Sequence, residues 1–308
     1  MAIPSCNNMP LNVRKLPGVQ KYIIDPKTIP ERCVVINPCI AGDVVYMRVI
    51  KSNGLKDVSE ISLFNAKTSE TIQVSEGSTM LASCGRYVGL EDLRIIWFRE
   101  RLYFVATSTH ASKRMQSETV IGLFSEDLKT VERLDYVDLG APPVKNVCPF
   151  NLDGTFMLID TLKKTIYAVS EKVDDDGKVV GYSTTPFKTL AVSPSVIPKS
   201  VDFEMRGSTC PIHLHGDTWG CIIHDIIYTD NTTFHTKTKL AYLHYFMEFD
   251  VNSGMVTFIS SPFFLIQFGI EFVSGIAYDS TTDVVSLFMG LDDKVPCVIE
   301  TPLYNLRA

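Results

Sequence analysis

Short runs in which apolar and polar residues alternate dominate the chain, and they predict strands rather than helices. Few windows place apolar residues at the three- and four-residue spacing of an amphipathic helix. The runs are rich in Val, Ile, Tyr and Phe and are separated by Gly, Asp, Asn and Pro. The clearest runs are Asp43–Ile50, Arg101–Thr107, Thr155–Asp160, Thr218–His224 and Asp283–Met289. The pattern predicts an all-β protein.

Each run follows a tight turn and, before that turn, another short strand. The turns fall near residues 42, 100, 154, 217 and 281, about 54 to 64 residues apart, in a chain of 308 residues. A hairpin unit repeated at this period is typical of a β-propeller. No linker divides the chain, and the polar stretch Val173–Val180 is predicted to be a turn between outer strands. We therefore expect one domain, residues 1–308, folded as a five-bladed β-propeller; a β-sandwich or a two-domain all-β protein fits the even spacing less well.

Composition and charge limit the classes of function. The formal net charge is −6, whereas a general nucleic-acid binder carries a basic surplus, so no nucleic-acid partner is expected. The first residues contain no apolar signal segment and no apolar run is long enough to span a bilayer, so we expect a cytoplasmic protein without a membrane partner. The eight cysteines contain no CxxC pair and are expected to be free, buried thiols. Homo-oligomerisation stays open.

Polar side chains recur around each predicted hairpin, where the innermost strands of a propeller enter a shared funnel. This set comprises Asn37, Arg48, Glu91, Asp92, Arg94, Lys145, Asn146, Arg206, His224, Glu271 and Asp293. Arg48 is informative, because a charge inside an apolar strand needs a partner or a ligand. Taken alone, Glu91 and Asp92 are also compatible with a surface turn, and His224 with a core position.

The set as a whole predicts a carbohydrate-active site. Carboxylates supply acid or base chemistry at an acetal carbon, and clustered cations suit an anionic group such as phosphate. Tyr242 belongs to a largely core-forming aromatic group and is the candidate for stacking on a sugar ring. His213 and His215 alternate on one strand, but no third ligand with suitable spacing is visible, so no metal is expected.

The segment GLEDLRI, residues 89–95, resembles the Gly-x-Glu-Asp-Pro-Arg-Ile motif of glycoside hydrolase family 130, the inverting mannoside phosphorylases and related hydrolases. The resemblance extends along most of the chain. INPCI with VVYMRV, the pair Lys145-Asn146, His224 in IIHD and the closing GLDDK are each similar to a family segment. Leu93 replaces the family's proline, and SPFFLIQFGIEFVSGIA follows the family only loosely, as in a distant branch with transferase-like members.

The resemblance implies a five-bladed propeller in which Asp92 donates a proton to the glycosidic oxygen, in phosphorylases through a sugar hydroxyl. Arg48, Arg94, Lys145 and His224 then match the residues that bind inorganic phosphate, and Arg206 is a weaker match. A phosphorylase needs one carboxylic acid, whereas a hydrolase needs a second to activate water. Glu91 and Glu271 are the available second carboxylates.

These observations predict an inverting glycoside phosphorylase or hydrolase that acts on β-mannosides or related oligosaccharides. Its partners are an oligosaccharide or sugar phosphate, with inorganic phosphate as co-substrate and no other cofactor. One alternative is a β-mannosyltransferase on the same propeller, which uses a sugar nucleotide or sugar phosphate. The other is a propeller that binds glycans without catalysis.

Overall fold

The computed structural model describes residues 13–23, 33–52, 57–68, 70–74, 87–88, 90–110, 116–140, 145–176, 179–193, 195–196, 205–228, 240–292 and 294–308. Within these ranges the chain consists of strands and one short helix, α1 (Leu303–Leu306). The predicted all-β class is confirmed. No helix in the described ranges is long and apolar enough to cross a membrane.

The strands of the described residues form five sheets that follow one another along the chain. Two short strands come first, β1 (Arg14–Lys15) and β2 (Val19–Tyr22). The first sheet contains β3 (Cys33–Ala41), β4 (Val44–Ser52), β5 (Asp57–Asn65), β6 (Thr71–Val74) and β7 (Tyr87–Val88). The second contains β8 (Glu91–Phe98), β9 (Arg101–His110), β10 (Gln116–Phe124) and β11 (Val131–Val137). The third contains β12 (Cys148–Leu152), β13 (Thr155–Asp160), β14 (Thr165–Val173) and β15 (Val179–Thr189).

The last two sheets incorporate the N-terminal strands. The fourth contains β16 (Ala191–Val192), β17 (Arg206–Gly207), β18 (Ile212–His215), β19 (Thr218–Tyr228), β20 (Leu240–Asp250), β21 (Met255–Ile259) and β22 (Phe263–Phe264). The fifth contains β23 (Glu271–Asp279), β24 (Val284–Leu291) and β25 (Val295–Pro302). Strand β1 pairs with β22 in parallel, and β2 pairs with β25 in antiparallel orientation.

Each of the five predicted hairpins is present, as β3–β4, β8–β9, β12–β13, β18–β19 and β23–β24. Their turns use residues that tolerate a positive φ angle: Gly42 and Gly154 have φ of 55° and 80°. The predicted strand Thr155–Asp160 matches β13, and the outer-strand turn predicted in Val173–Val180 joins β14 to β15.

Contacts between sheets form a closed circuit. Strand β3 contacts β8, β8 contacts β12, β13 contacts β17, β19 contacts β23, and β23 contacts β3. A separate hydrophobic cluster fills each junction between consecutive sheets. Representative pairs across the five junctions are Tyr46 with Phe104, Tyr103 with Phe156, Phe150 with Phe249, Phe246 with Val285, and Met47 with Phe288. The first strands of all five sheets therefore face a common centre.

The first three sheets share a backbone irregularity at this centre. Asn37, Asp92 and Asn146 adopt left-handed φ angles of 51°, 54° and 64°. Asn37 and Asp92 lie where the register of their hairpins shifts, and Asn146 lies just before β12. Asn and Asp tolerate this conformation better than other residues with a side chain. The irregularity directs polar side chains out of the regular in-and-out alternation of each strand.

Candidate active site

A cavity of about 250 Å³ lies where residues from all five sheets meet. Its lining residues that were predicted from sequence are Asn37, Arg48, Asp92, Lys145, Asn146, Arg206, His224 and Tyr242. They come from segments far apart in the chain, so the fold brings together most of the polar set. Ile36, Ile226 and Phe272 complete the described lining.

Asp92 presents its carboxylate to this cavity through two neighbours. The side-chain amide of Asn37 donates a hydrogen bond from Nδ2 to Asp92 Oδ1 at 2.5 Å. The guanidinium Nη1 of Arg48 lies 3.8 Å from the same oxygen. The Asp92 side chain is 17% exposed, so it is held by protein groups on one side and remains accessible to a ligand.

Arg48 is fixed in the apolar strand β4 by a short relay. Its Nε donates to Ser59 Oγ at 2.8 Å, and the Ser59 hydroxyl donates to the Leu90 carbonyl at 2.9 Å. Leu90 precedes Glu91 and Asp92, so the relay joins the cation to the carboxylate segment. The partner that a buried charge requires is therefore present on the neighbouring sheet.

Glu91 contacts two cations of the cavity but is not itself among the described lining residues. Its carboxylate lies 3.8 Å from Arg48 Nη2 and 3.5 Å from Lys145 Nζ. Both of its oxygens thus face a positive charge. This arrangement makes Glu91 a positioning group for Arg48 and Lys145, and it lowers the case for Glu91 as a base that activates water.

Arg94 does not line the cavity, in contrast to its prediction as a phosphate ligand. It is fully buried, and its Nε donates to the Ser208 carbonyl at 2.6 Å. Its Nη1 donates to the backbone carbonyl of Asp92 at 2.9 Å, and its guanidinium lies 5.5 Å from the Phe272 ring centroid. Arg94 instead fixes the backbone of Asp92 against the fourth sheet.

His224 lies in the cavity wall as a neutral group, which corrects the expectation that it belongs to the cations. Burial, followed by the charges of His244, Arg206 and Arg94, holds the pKa of His224 well below its usual range. Its Nδ1 is hydrogen-bonded to the Ser208 hydroxyl at 2.9 Å. The imidazole therefore offers a hydrogen bond, while Arg48, Lys145 and Arg206 supply the positive charge.

The structure does not bring Glu271 to the cavity. It is fully buried, and its carboxylate accepts hydrogen bonds from the backbone N–H groups of Leu265, Ile266 and Gln267 at 2.7, 2.8 and 2.5 Å. These bonds hold the segment that precedes β23. Burial raises the pKa of Glu271, against these three bonds, which lower it. Asp293, the remaining predicted ligand, lies outside the described residues.

The sequence analysis missed the apolar part of the cavity wall. Ile226 lies two residues after His224 on β19 and therefore shares its face, a signal that strand periodicity carries. Phe272 lies next to Glu271, so the sequence analysis selected the neighbour that points away from the cavity. The rings of Phe272 and Tyr242 stand 5.6 Å apart, and Phe272 meets His224 edge-on at 5.1 Å.

A second, larger cavity of about 390 Å³ lies near the hairpin turns of the second and third sheets. Phe98, Tyr103 and Phe156 form much of its wall. The one carboxylate among its described lining residues belongs to Glu171, which pairs with Arg99 at 3.6 Å. The smaller cavity is the better candidate for chemistry because it combines an accessible carboxylate with several cations. No group of three or more metal-binding side chains occurs among the residues described.

A scan against protein-family models and a search of curated proteins both find no match. Solved structures do match along nearly the whole chain. One, from work on the glycoside hydrolase family 130 mannoside phosphorylases and on hydrolases of β-1,2 mannosidic linkages in Candida mannan, aligns with a TM-score of 0.61 and 14% identity, over 95% of this chain and 97% of that one.

Two further structures give the same result. A glycosyl hydrolase from Bacteroides ovatus aligns with a TM-score of 0.56 and 12% identity, over 95% of this chain and 98% of its own. A mannose phosphorylase from Leishmania mexicana, in complex with a phosphate ion, aligns at 0.55 and 15%, over 89% and 85%. This chain has the fold of glycoside hydrolase family 130. The resemblance seen in the sequence is thereby confirmed at the level of the fold.

Proposed function

We propose that this protein is an inverting glycoside phosphorylase that acts on β-mannosides or related oligosaccharides. The observation that carries the proposal is the composition of the cavity wall. Asp92 is the one carboxylate among its described lining residues, and Arg48, Lys145 and Arg206 supply positive charge. A single acid beside a cationic pocket suits a reaction whose nucleophile is already an anion.

In the proposed reaction Asp92 supplies the proton that the leaving glycosidic oxygen needs, directly or through a sugar hydroxyl. Phosphate, held by the three cations and by the hydrogen-bonding groups of Asn146 and His224, attacks the anomeric carbon from the opposite face. The bond between that carbon and the glycosidic oxygen breaks as the carbon–phosphate oxygen bond forms. The products are an α-sugar 1-phosphate and the shortened glycan.

Hydrolysis is the less favoured reaction on this scaffold. An inverting hydrolase needs a second carboxylate, about 6.5–9.5 Å from the acid, to activate water. Glu91 faces Arg48 and Lys145, and the Glu271 carboxylate is occupied by three backbone N–H groups. Both predicted candidates therefore have other partners.

The proposal also includes the arrangement of the chain. We propose that the five sheets are the blades of a five-bladed β-propeller and that residues 1–308 form one domain. Two features support this arrangement: the closed circuit of contacts from β3 to β23, and one hydrophobic cluster at each junction of consecutive sheets. The candidate cavity then lies at the mouth of the central channel.

The test is a synthesis assay with two donors. The protein is incubated with α-mannose 1-phosphate or with GDP-mannose, each with a panel of acceptor sugars, and released phosphate, released GDP and new disaccharide are measured. Phosphate release with stoichiometric disaccharide is expected. GDP release alone identifies a transferase, and sugar release from β-mannobiose in phosphate-free buffer identifies a hydrolase. Silence in every arm, with glycan binding retained, contradicts the enzymatic proposal.

A further inference from the structure

Three thiols and one guanidinium meet at the centre of the sheets, one layer below the lining of the candidate cavity. They occupy the same place in four successive repeats, because each lies two residues after Asn37, Asp92, Asn146 or Ser208. These four residues are Cys39, Arg94, Cys148 and Cys210. All three thiols interact electrostatically with Arg94. The fifth sheet contributes Gly275, where an added Cβ would lie 2.9 Å from Cys39 Cα.

Cys39 and Cys210 form a directly interacting pair within this layer. The Cys210 thiol is hydrogen-bonded to the Cys39 sulfur, which also receives the backbone N–H groups of Ile95 and Ile40. The Cys210 hydrogen bond and the nearby Arg94 charge, against the effect of burial, lower the pKa of Cys39. The same hydrogen bond, with burial, raises the pKa of Cys210. The proton that the two sulfurs share therefore resides on Cys210, and Cys39 has thiolate character.

The pair also differs from the other described thiols in access. Cys148, Cys221 and Cys297 are buried, whereas Cys210 is partly exposed. A small oxidant can thus approach the pair from the side of Cys210. Reactive cysteines combine thiolate character, a nearby cation and partial exposure, and here the two members of one pair supply these properties together.

We propose that Cys39 and Cys210 are a redox-sensitive pair that hydrogen peroxide converts into a disulfide between the first and fourth sheets. The Cys39 thiolate attacks one peroxide oxygen, the O–O bond breaks, and the departing hydroxide takes a proton to become water. The Cys210 sulfur then attacks the resulting sulfenic acid. The S–S bond forms as the S–O bond breaks, and the second water leaves with the Cys210 proton. Two electrons from the thiols reduce one peroxide to two waters.

The experiment is peptide mapping of the folded wild-type protein. The protein is treated with hydrogen peroxide, its remaining thiols are alkylated in denaturant, and a non-reducing digest is analysed by mass spectrometry. A cross-linked pair of peptides containing Cys39 and Cys210, lighter by two hydrogen atoms and separated again by dithiothreitol, is expected. Cys148, Cys221 and Cys297 should be recovered alkylated.

Two variants sharpen the result. Cys210→Ser should abolish the cross-link and leave Cys39 as a sulfenic acid that dimedone traps, whereas the control Cys221→Ser, in the same sheet, should retain the cross-link. Circular dichroism verifies that each variant is folded. Recovery of both Cys39 and Cys210 alkylated after peroxide treatment overturns the proposal. So does a disulfide that joins either of them to Cys148, or a cross-link that forms only in denaturant.

Discussion

Asp92 combines an unusual backbone conformation with a carboxylate that has one amide and one guanidinium as neighbours. The left-handed φ angle places the side chain at the cavity, and Arg94 holds the same residue by its carbonyl. Asp92 is thus secured from both its side chain and its backbone. Such support from surrounding groups is what a catalytic acid needs in order to meet its substrate in one geometry.

Replacement of the carboxyl group tests this role directly. In Asp92→Asn we expect the fold to persist and turnover to fall by about 10²–10⁴-fold, because an amide has the same shape but no transferable proton. The measurement is the rate of phosphate release, with circular dichroism as the check on folding. Asp153→Asn is a matched control, since Asp153 is an exposed residue with a left-handed φ of 48°. Wild-type turnover in Asp92→Asn removes this residue from the mechanism.

Asn37 is predicted to position the acid without reacting. Asn37→Gly retains the left-handed conformation, which glycine adopts freely, but removes the amide that donates to Asp92. A hydrogen bond to a charged group contributes about 1.5–3 kcal/mol, so kcat should fall roughly ten- to hundredfold and the pH profile of kcat should shift. Asn37→Ala should in addition lower stability, because alanine is strained at this φ angle. An unchanged kcat and pH profile in Asn37→Gly would refute the positioning role.

Lys145 separates phosphate binding from sugar binding. It lines the cavity and faces Glu91 at 3.5 Å. In Lys145→Ala we expect the KM for phosphate to rise by roughly tenfold, the order of a lost charge-assisted hydrogen bond, with the KM for the glycan little changed. Lys51→Ala is the control, since Lys51 pairs with Glu60 on the surface at 2.7 Å. Equal changes in both KM values would count against a role in phosphate binding.

Secondary structure was the most predictable feature. Alternation and turn residues located all five hairpins, because a two-residue period and a glycine turn are local signals. The incorporation of β1 and β2 into the fourth and fifth sheets was not predicted, since pairing between chain ends leaves no mark in a local window. Arg94 and Glu271 were misassigned for a related reason: a charge in a strand signals a partner, but the sequence does not distinguish a ligand from a backbone group.

The strand pair β19–β20 carries a buried cross-strand pair, His224 and His244. Burial lowers the pKa of His244 from 6.5 to about 3. The unfolded chain binds a proton below pH 6.5 that the folded chain excludes, so this contribution to stability is present above pH 6.5 and is lost as the pH falls toward 3. For His244 the loss between pH 7 and pH 5 is about 2 kcal/mol.

Denaturant unfolding at several pH values measures this effect. In His244→Gln, where the amide oxygen replaces the acceptor for the Val273 N–H, the decrease in stability from pH 7 to pH 5 should shrink by about 2 kcal/mol relative to wild type. The overall stability of the variant does not enter, because the comparison is between slopes. His215→Gln, at an exposed position of β18, should retain the wild-type slope. Identical slopes in the wild type and His244→Gln argue against a neutral buried His244.

At the scale of the molecule, the N-terminal segment joins the end of the chain to its beginning. Leu16 lies between β1 and β2 and is 1% exposed. It packs in the cluster that contains Phe246 of the fourth sheet and Val285 of the fifth. A residue from the start of the chain therefore seals the junction between the last two sheets, which makes the stability of the circuit depend on both ends of the chain.

Leu16→Ala tests whether the circuit unfolds as one unit. Truncating a buried leucine removes apolar contacts and leaves a cavity, at a cost of about 2–5 kcal/mol, while Val19→Ala, at a site that is 61% exposed, should cost far less. If residues 1–308 form one domain, urea unfolding followed by fluorescence and by circular dichroism should give one coincident transition, shifted to lower denaturant in Leu16→Ala. A second transition that is insensitive to Leu16→Ala would show that part of the chain folds independently, because in a closed ring each junction supports its neighbours.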